Sequence, residues 1–219
     1  TLHELGVTLR NQERWEESEN VLRRALAIRE AVHGPDHRTV AGTLYELGVT
    51  LQKQERWEES ESALRRALAI DEAVHGPDHP TVAVTLHELG VTLRNQERWE
   101  ESENALRRAL EIYEAVHGPD HRNVATTQYA LGVTLLTRAN YGEAEKLLRQ
   151  SLEFYKASDG PDHRNVAHPL HHLGLLLTDT GRLAEAKPLL ERALAIRERC
   201  YPPDHKLIRE TRDALSKVD

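Results

Sequence analysis

TLYELGVTLQKQERWEESESALRRALAIDEAVHGPDHPTVAV, residues 43–84, decides the fold, because the rest of the chain is this stretch written again. Residues 1–42 match it at 34 of 42 positions, and residues 85–126 match residues 1–42 at 37 of 42. Looser copies fill 127–168 and 169–210, and TRDALSKVD, residues 211–219, is a partial sixth. A fixed period of 42 residues without insertion marks a solenoid, a stack in which each unit buries its apolar face only against its neighbours. One elongated body over 1–210 is expected, with no separate substrate domain.

Within the unit, Leu44, Leu47, Gly48 and Leu51 fall at i, i+3, i+4 and i+7, one face of a first helix. A second helix is expected from near Trp57 with two apolar rows. Trp57, Ser60, Leu64 and Leu68 form one; Ala63, Ala67, Ile70 and Val74 form the other. A helix that is apolar on two sides is sandwiched, here between its own partner and the first helix of the next unit. Small residues at Gly48, Ser60 and Ala67 let the axes approach, so bulk there would overpack the stack.

The linker HGPDHP, residues 75–80, brings stop and start signals together. Gly76 can end a helix in the left-handed conformation, Pro77 cannot continue one, and Asp78 can accept the amide hydrogens that open the next. The connection inside the unit, around Gln54 and Glu55, carries no glycine until Gly181 in the fifth copy. At the end of the chain Ile208, Thr211, Leu215 and Val218 form one apolar row among charged neighbours, the pattern of a capping helix that begins near 206.

Leu44, Leu47-Gly48, Leu51, Trp57, Ser60, Leu64 and Ala67 resemble the tetratricopeptide repeat (TPR). The 42-residue period and the GPDH linker are more specific, and resemble the long repeats of kinesin light chains and of sensor arrays in STAND-type NTPases. Gly6, Gly48, Gly90, Gly132 and Gly174 match the family glycine, and Ala25, Ala67, Ala109, Ser151 and Ala193 match its second small position. Ser18, Ser60 and Ser102 stand where alanine is usual, and Glu13, Glu55 and Glu97 where the turn commonly has glycine. The serines are expected to be harmless and the glutamates to strain or shift the turn. The resemblance implies an all-α fold, a right-handed superhelical solenoid of antiparallel helix pairs, with five hairpins (1–42, 43–84, 85–126, 127–168 and 169–210) and a cap.

By the same resemblance the first helix of every unit lines a concave, peptide-binding groove. Its inward positions are His3, Val7, Arg10 and Asn11; Tyr45, Val49, Gln52 and Lys53; and His87, Val91, Arg94 and Asn95 in the first three copies. Tyr129, Val133, Leu136 and Thr137 follow in the fourth, and His171, Leu175, Thr178 and Asp179 in the fifth. Arg10, Lys53 and Arg94 favour an acidic segment, anchored by an apolar side chain over the valines. Glu4, Glu46 and Glu88 lie one step away and cancel part of that charge.

Other clusters have structural readings. HGPDH offers His, Asp and His as metal ligands, yet the aspartate is needed as a cap and successive linkers are too far apart to share an ion. His168, His171 and His172, at i, i+3 and i+4, are the better metal candidate, although Pro169 sits at the helix start beside them. Glu19–Arg23, Glu61–Arg65, Glu103–Arg107 and Glu145–Arg149 are i, i+4 ion pairs on a solvated face, each worth about 0.2–0.5 kcal/mol, and not paired catalytic acids. Trp15, Trp57 and Trp99, followed by Tyr141 and Leu183, are read as packing residues in preference to a stacking platform. Phosphate-binding loops, nucleophile elbows and paired-cysteine motifs are absent, so neither an enzyme nor a cofactor is expected.

A net charge of −7 offers no basic stripe for nucleic acid. Cys200 is the single cysteine, no apolar run approaches the roughly 18 residues that span a bilayer, and no leader opens the sequence, so a cytoplasmic protein without membrane attachment is expected. The first copy starts inside its first helix and no methionine precedes it, which suggests part of a longer protein. The expected function is non-catalytic protein binding, as an adaptor or sensor array. A self-associating rod that stacks through its uncapped amino-terminal end is the second reading, and a small-ligand sensor of a signalling NTPase the third.

Overall fold

In the computed structural model, which describes residues 1–218, each copy contributes a pair of helices. In chain order these are α1 (Leu2–Asn11), α2 (Trp15–His33), α3 (Arg38–Lys53), α4 (Trp57–His75), α5 (Pro80–Asn95), α6 (Trp99–His117), α7 (Arg122–Thr137), α8 (Tyr141–Asp159), α9 (Arg164–Asp179), α10 (Leu183–Cys200) and α11 (Lys206–Leu215). No strand occurs among the described residues. The sequence borders at 42/43, 84/85, 126/127 and 168/169 fall inside α3, α5, α7 and α9. The hairpin in space therefore runs from one linker to the next, as in Arg38–His75.

The chain divides into two compact units, Thr1–Val116 and a second from His117 onward. In the first, α2 packs on both α1 and α3, and α4 on both α3 and α5. In the second, α8 packs on α7 and α9, and α10 on α9 and α11. This is the sandwich that the two apolar rows require. Leu22, Leu47 and Leu51 form one core cluster, and Val40, Ala41, Leu44, Ala63, Ala67 and Ile70 another. Each leucine so buried contributes about 1.5–3 kcal/mol. The second row ends at Ile70: Val74, in the last turn of α4, is 46% exposed.

Close approach explains the small residues. A methyl group on Gly48 would meet Leu64 Cγ at 2.7 Å, so the leucine occupies the space that glycine leaves. The serines do more than fit. Ser18 and Ser102 donate to the carbonyls of Gly6 and Gly90 at 2.8 Å, and Ser60 Oγ lies 3.2 Å from Thr92 Oγ1 in the next copy.

Inside each hairpin the turn keeps its shape without glycine. Arg56 N–H donates to Leu51 O and Glu55 N–H to Gln52 O, both at 3.0 Å, the bond pair of a Schellman motif. That motif requires positive φ, and Glu13, Glu55, Glu97 and Ala139 take it at 57–61° where the fifth copy has Gly181 at 76°. The glutamates are strained and do not shift the turn; the left-handed conformation costs a residue with a Cβ about 1–2 kcal/mol.

The linkers between hairpins differ from expectation in two ways. Gly76 sits at φ 87°, ψ 159°, an extended region that only glycine enters, and not the left-handed helical one. The cap of α5 is His79, whose Nδ1 accepts the Thr81 amide at 3.2 Å; Asp78 lies one residue too early because α5 opens at Pro80. His37, His121, His163 and His205 cap α3, α7, α9 and α11 in the same way. The ring of His75 stacks on that of His79 at 4.7 Å, and His33–His37 and His117–His121 repeat the stack. These rings are joinery, and the metal reading of HGPDH falls with that.

Two linkers vary the scheme. Asp159 replaces the first histidine, pairs with Arg122 and accepts from Asn165 Nδ2 at 2.8 Å; the Arg122 bond holds its carboxyl well below the ordinary range. Pro202 replaces the glycine in the fifth copy, and a proline locked near φ −65° cannot follow glycine's path. The helix stops one residue sooner, at Cys200, with Tyr201 extended at φ −132°, ψ 156° as a residue before proline must be. The Tyr201 ring still stacks on His205, at 4.4 Å. In α11 the buried row is Ile208, Thr211 and Ala214; Leu215 is half-buried and Val218 lies past the helix end.

Candidate functional site

The rows expected to face a ligand lie on α1, α3 and α5 in the first unit. The scaffold leucines of α3 are buried and so, against expectation, is Val49, whereas Val7 and Val91 remain half-exposed and Asn11, Lys53 and Asn95 are open to water. The basic and amide edge is largely spent on packing. Arg10 Nη1 lies 2.8 Å from Glu46 Oε2, both side chains being mostly buried, and Gln52 Nε2 donates to Glu88 O at 3.0 Å and to Thr92 Oγ1 at 2.9 Å. Arg10 and Gln52 therefore join one copy to the next instead of waiting for an acidic partner. Burial pushes the Glu46 carboxyl up, with help from Glu88 and against Arg10. Tyr45 and His87 are half-buried. Burial and then the Glu88 and Glu46 carboxylates push the Tyr45 phenol up, while burial pulls the His87 imidazole down.

A position that the periodicity did not single out proves central. Arg29, Asp71, Tyr113, Tyr155 and Arg197 occupy the same place in successive copies, late in the second helix. Most of them reach the opening turns of the following first helix. Arg29 donates to Thr39 O and Thr43 Oγ1 and Asp71 accepts from Thr85 Oγ1 at 3.0 Å, whereas Tyr155 turns back to Thr126 Oγ1, 2.9 Å away on α7, the first helix of its own hairpin. Arg197, 1% exposed, donates to Leu207 O and Thr211 Oγ1. The available signal was variation: five copies hold a cation, an acid, two phenols and a cation where their scaffold residues barely change.

In the second unit Tyr129, Val133 and Leu136 on α7 and Leu175 and Thr178 on α9 are half-exposed, and His171 is buried. The histidine cluster does not form a metal centre; among the described residues no three His, Cys, Asp or Glu side chains are placed to hold an ion. His172 Nδ1 lies 3.3 Å from the Tyr129 hydroxyl and 3.1 Å from His168 O, and its ring meets His171 edge-on at 5.2 Å. Pro169 is the sixth residue of α9 rather than its start. Burial lowers His168 from 6.5 to about 4 and His171 further still, with the Arg197 cation adding to both.

Much of the glutamate-rich face is engaged in ion pairs. Glu19 holds Arg23 at 2.8 Å as expected and also Arg56 of the next copy at 2.6 Å, while Arg23 and Arg56 both reach Glu59. Glu61, Arg65, Arg98 and Glu101 repeat the ring, and Glu145, Arg149, Arg182 and Glu185 form its counterpart in the second unit. Trp15, Trp57 and Trp99 are half-buried beside it, and Leu183 is exposed.

The fold has close counterparts among solved structures. Kinesin light chain nearly identical TPR-like repeats from Podosopora anserina superpose with a TM-score of 0.73 at 21% identity, covering 91% of this chain and 94% of that one. BtubC (BKLC) from P. vanneervenii gives 0.74 at 22% identity, over 93% and 82% of the two chains. YrrB, a TPR protein with an unusual peptide-binding site, gives 0.59 at 17%, over 97% and 90%. No curated protein matches the chain in sequence. TPR arrays are generally non-catalytic protein-interaction scaffolds, and no helix among the described residues is long and apolar enough to cross a membrane. Tetratricopeptide repeat models match residues 1–73, 39–115, 81–157 and 166–205, so the chain belongs to the tetratricopeptide repeat family.

Proposed function

We propose that the chain is a cytoplasmic, non-catalytic binding module that takes an extended or helical segment of another protein along its first helices. The observation that carries this reading is the contrast on those helices. Leu44, Leu47 and Leu51 are 1–3% exposed, while Val7, Asn11, Lys53, Val91, Asn95 and Leu175, needed by no hairpin, face outward at least in part. Surface that the fold does not consume is where recognition is written. The peptide-binding site named for YrrB supports the same use here. The partner is a protein segment with an apolar anchor beside Val7 and Val91; with Arg10 and Gln52 engaged, acidic character in the ligand rests on the exposed Lys53. The test is a pull-down with the wild-type chain and with His87, Val91, Arg94 and Asn95 changed together to alanine, both shown helical by circular dichroism. Partners held by the wild type and lost by the variant are expected; identical captures from both would refute the reading.

A further inference from the structure

The three near-identical copies differ from one another at only ten places, so the positions they vary are informative. Counted in the second copy, five of the ten are Tyr45, Asp71, Pro80, Thr81 and Val84. All five line a single cleft of about 460 Å³ between α3, α4 and α5, inside the first unit. Gln52 and Lys53 vary further along α3, on the row already described, and only Ser62, Ala63 and Ala69 lie elsewhere, on α4. Half of the divergence among the duplicated copies thus falls around one cavity, while their core leucines are unchanged.

The divergence also changes the charge of that cavity. Where the first copy has Arg29, the second has Asp71, 4% exposed; its carboxylate accepts from Thr85 Oγ1, and no lysine or arginine pairs with it among the described residues. Beyond the cavity, further along the same helices, Gln52 stands where the first copy has Arg10; it bonds the Glu88 backbone and brings no counter-charge to the Glu88 carboxylate. Burial pushes the Asp71 carboxyl up, against the Thr85 bond and the nearby His75 and His79. A buried carboxylate short of a cation is costly, and a ligand that brings one relieves the cost. Tyr45 supplies an aromatic wall of the kind that cations favour. Arg38 stands exposed at the rim and opposes a second positive charge beside the first.

We propose that this cleft receives one lysine or arginine side chain of a bound peptide, with Asp71 as its counter-charge and Tyr45 as its wall, the flanking residues being neutral or acidic. The assignment rests on the peptide-binding reading above and names the chemistry of one subsite within it.

A phage-displayed library of random 12-residue peptides, selected on the whole chain, tests it. Selected sequences should share one basic position without a basic neighbour. A synthetic peptide from that set should bind Asp71→Asn, which keeps the Thr85 bond and loses the charge, about thirtyfold or more weakly by calorimetry. Asp71→Arg installs the residue that the first copy carries at this place, so it folds, and it should abolish the basic preference on reselection. Selected peptides with no shared basic residue, or equal affinity for wild type and Asp71→Asn, would overturn the proposal. If those same peptides are lost when His87 and Val91 become alanine, only this subsite fails; if no peptide is selected at all, the peptide-binding reading fails with it.

Discussion

A glutamate and a glycine show how single residues carry the repeat. Glu55 holds a left-handed turn because its own bond to Gln52 and that of Arg56 to Leu51 demand it, and the same demand is met by Gly181 in the fifth copy without a Cβ. Glu55→Gly is therefore expected to stabilise the chain by about 0.5–1 kcal/mol, the relief of strain exceeding the added freedom of the unfolded chain. Urea midpoints for the wild type and the single variant measure it, and a loss of stability would show that the turn is not strained at all. Gly76 presents the opposite case. A methyl group there would touch nothing within 4 Å, so what forbids one is backbone conformation alone. His79 completes the joint, and its role was hidden in the sequence because aspartate is the commoner cap and stands beside it.

At the scale of the element, α9 is the helix most exposed to pH. His168 and His171 are kept neutral in the fold by burial, facing Arg197 from α10, Tyr129 from α7 and His172 on their own helix. Their folded pKa values lie below the ordinary 6.5, so the unfolded chain binds more protons once the pH drops past that value. Their contribution is complete above about 6.5 and is lost as pH falls toward about 4, each tenfold difference in proton affinity between the folded and unfolded chain being worth about 1.4 kcal/mol. Between pH 7.5 and 5, before most carboxylates titrate, His168→Gln with His171→Leu should flatten the decline in urea midpoint. An unchanged slope would show that the two imidazoles are not the cause.

The helices themselves were legible in the sequence, because the i, i+3, i+4 leucine pattern and the 42-residue period each demand them. The candidate rows were legible only as positions. That Arg10 spends its charge on Glu46, or that Asp71 meets Thr85, depends on side chains 36 and 14 residues apart, and no local periodicity reports such pairs.

Taken as a molecule, the chain joins copies by one set of bonds used repeatedly. Ser18 reaches Thr50, Glu19 reaches Arg56, Arg10 reaches Glu46 and Arg29 reaches Thr43. Removing residues 43–84 would offer the same partners from the third copy: Thr92, Arg98, Glu88 and Thr85. That deletion is expected to leave a folded protein with undiminished helicity per residue and a thermal midpoint lower by several degrees, since one stacking interface is lost. Collapse of the helical signal would mean that the copies are not interchangeable. Interchangeable junctions also have a kinetic side. While the chain is being made, α2 meets surfaces on α3 and, later, on α5 that look alike to it, and only the length of intervening chain tells neighbour from second neighbour. Fidelity of assembly then rests on the order in which copies emerge, and the first copy must close on the second before the third appears.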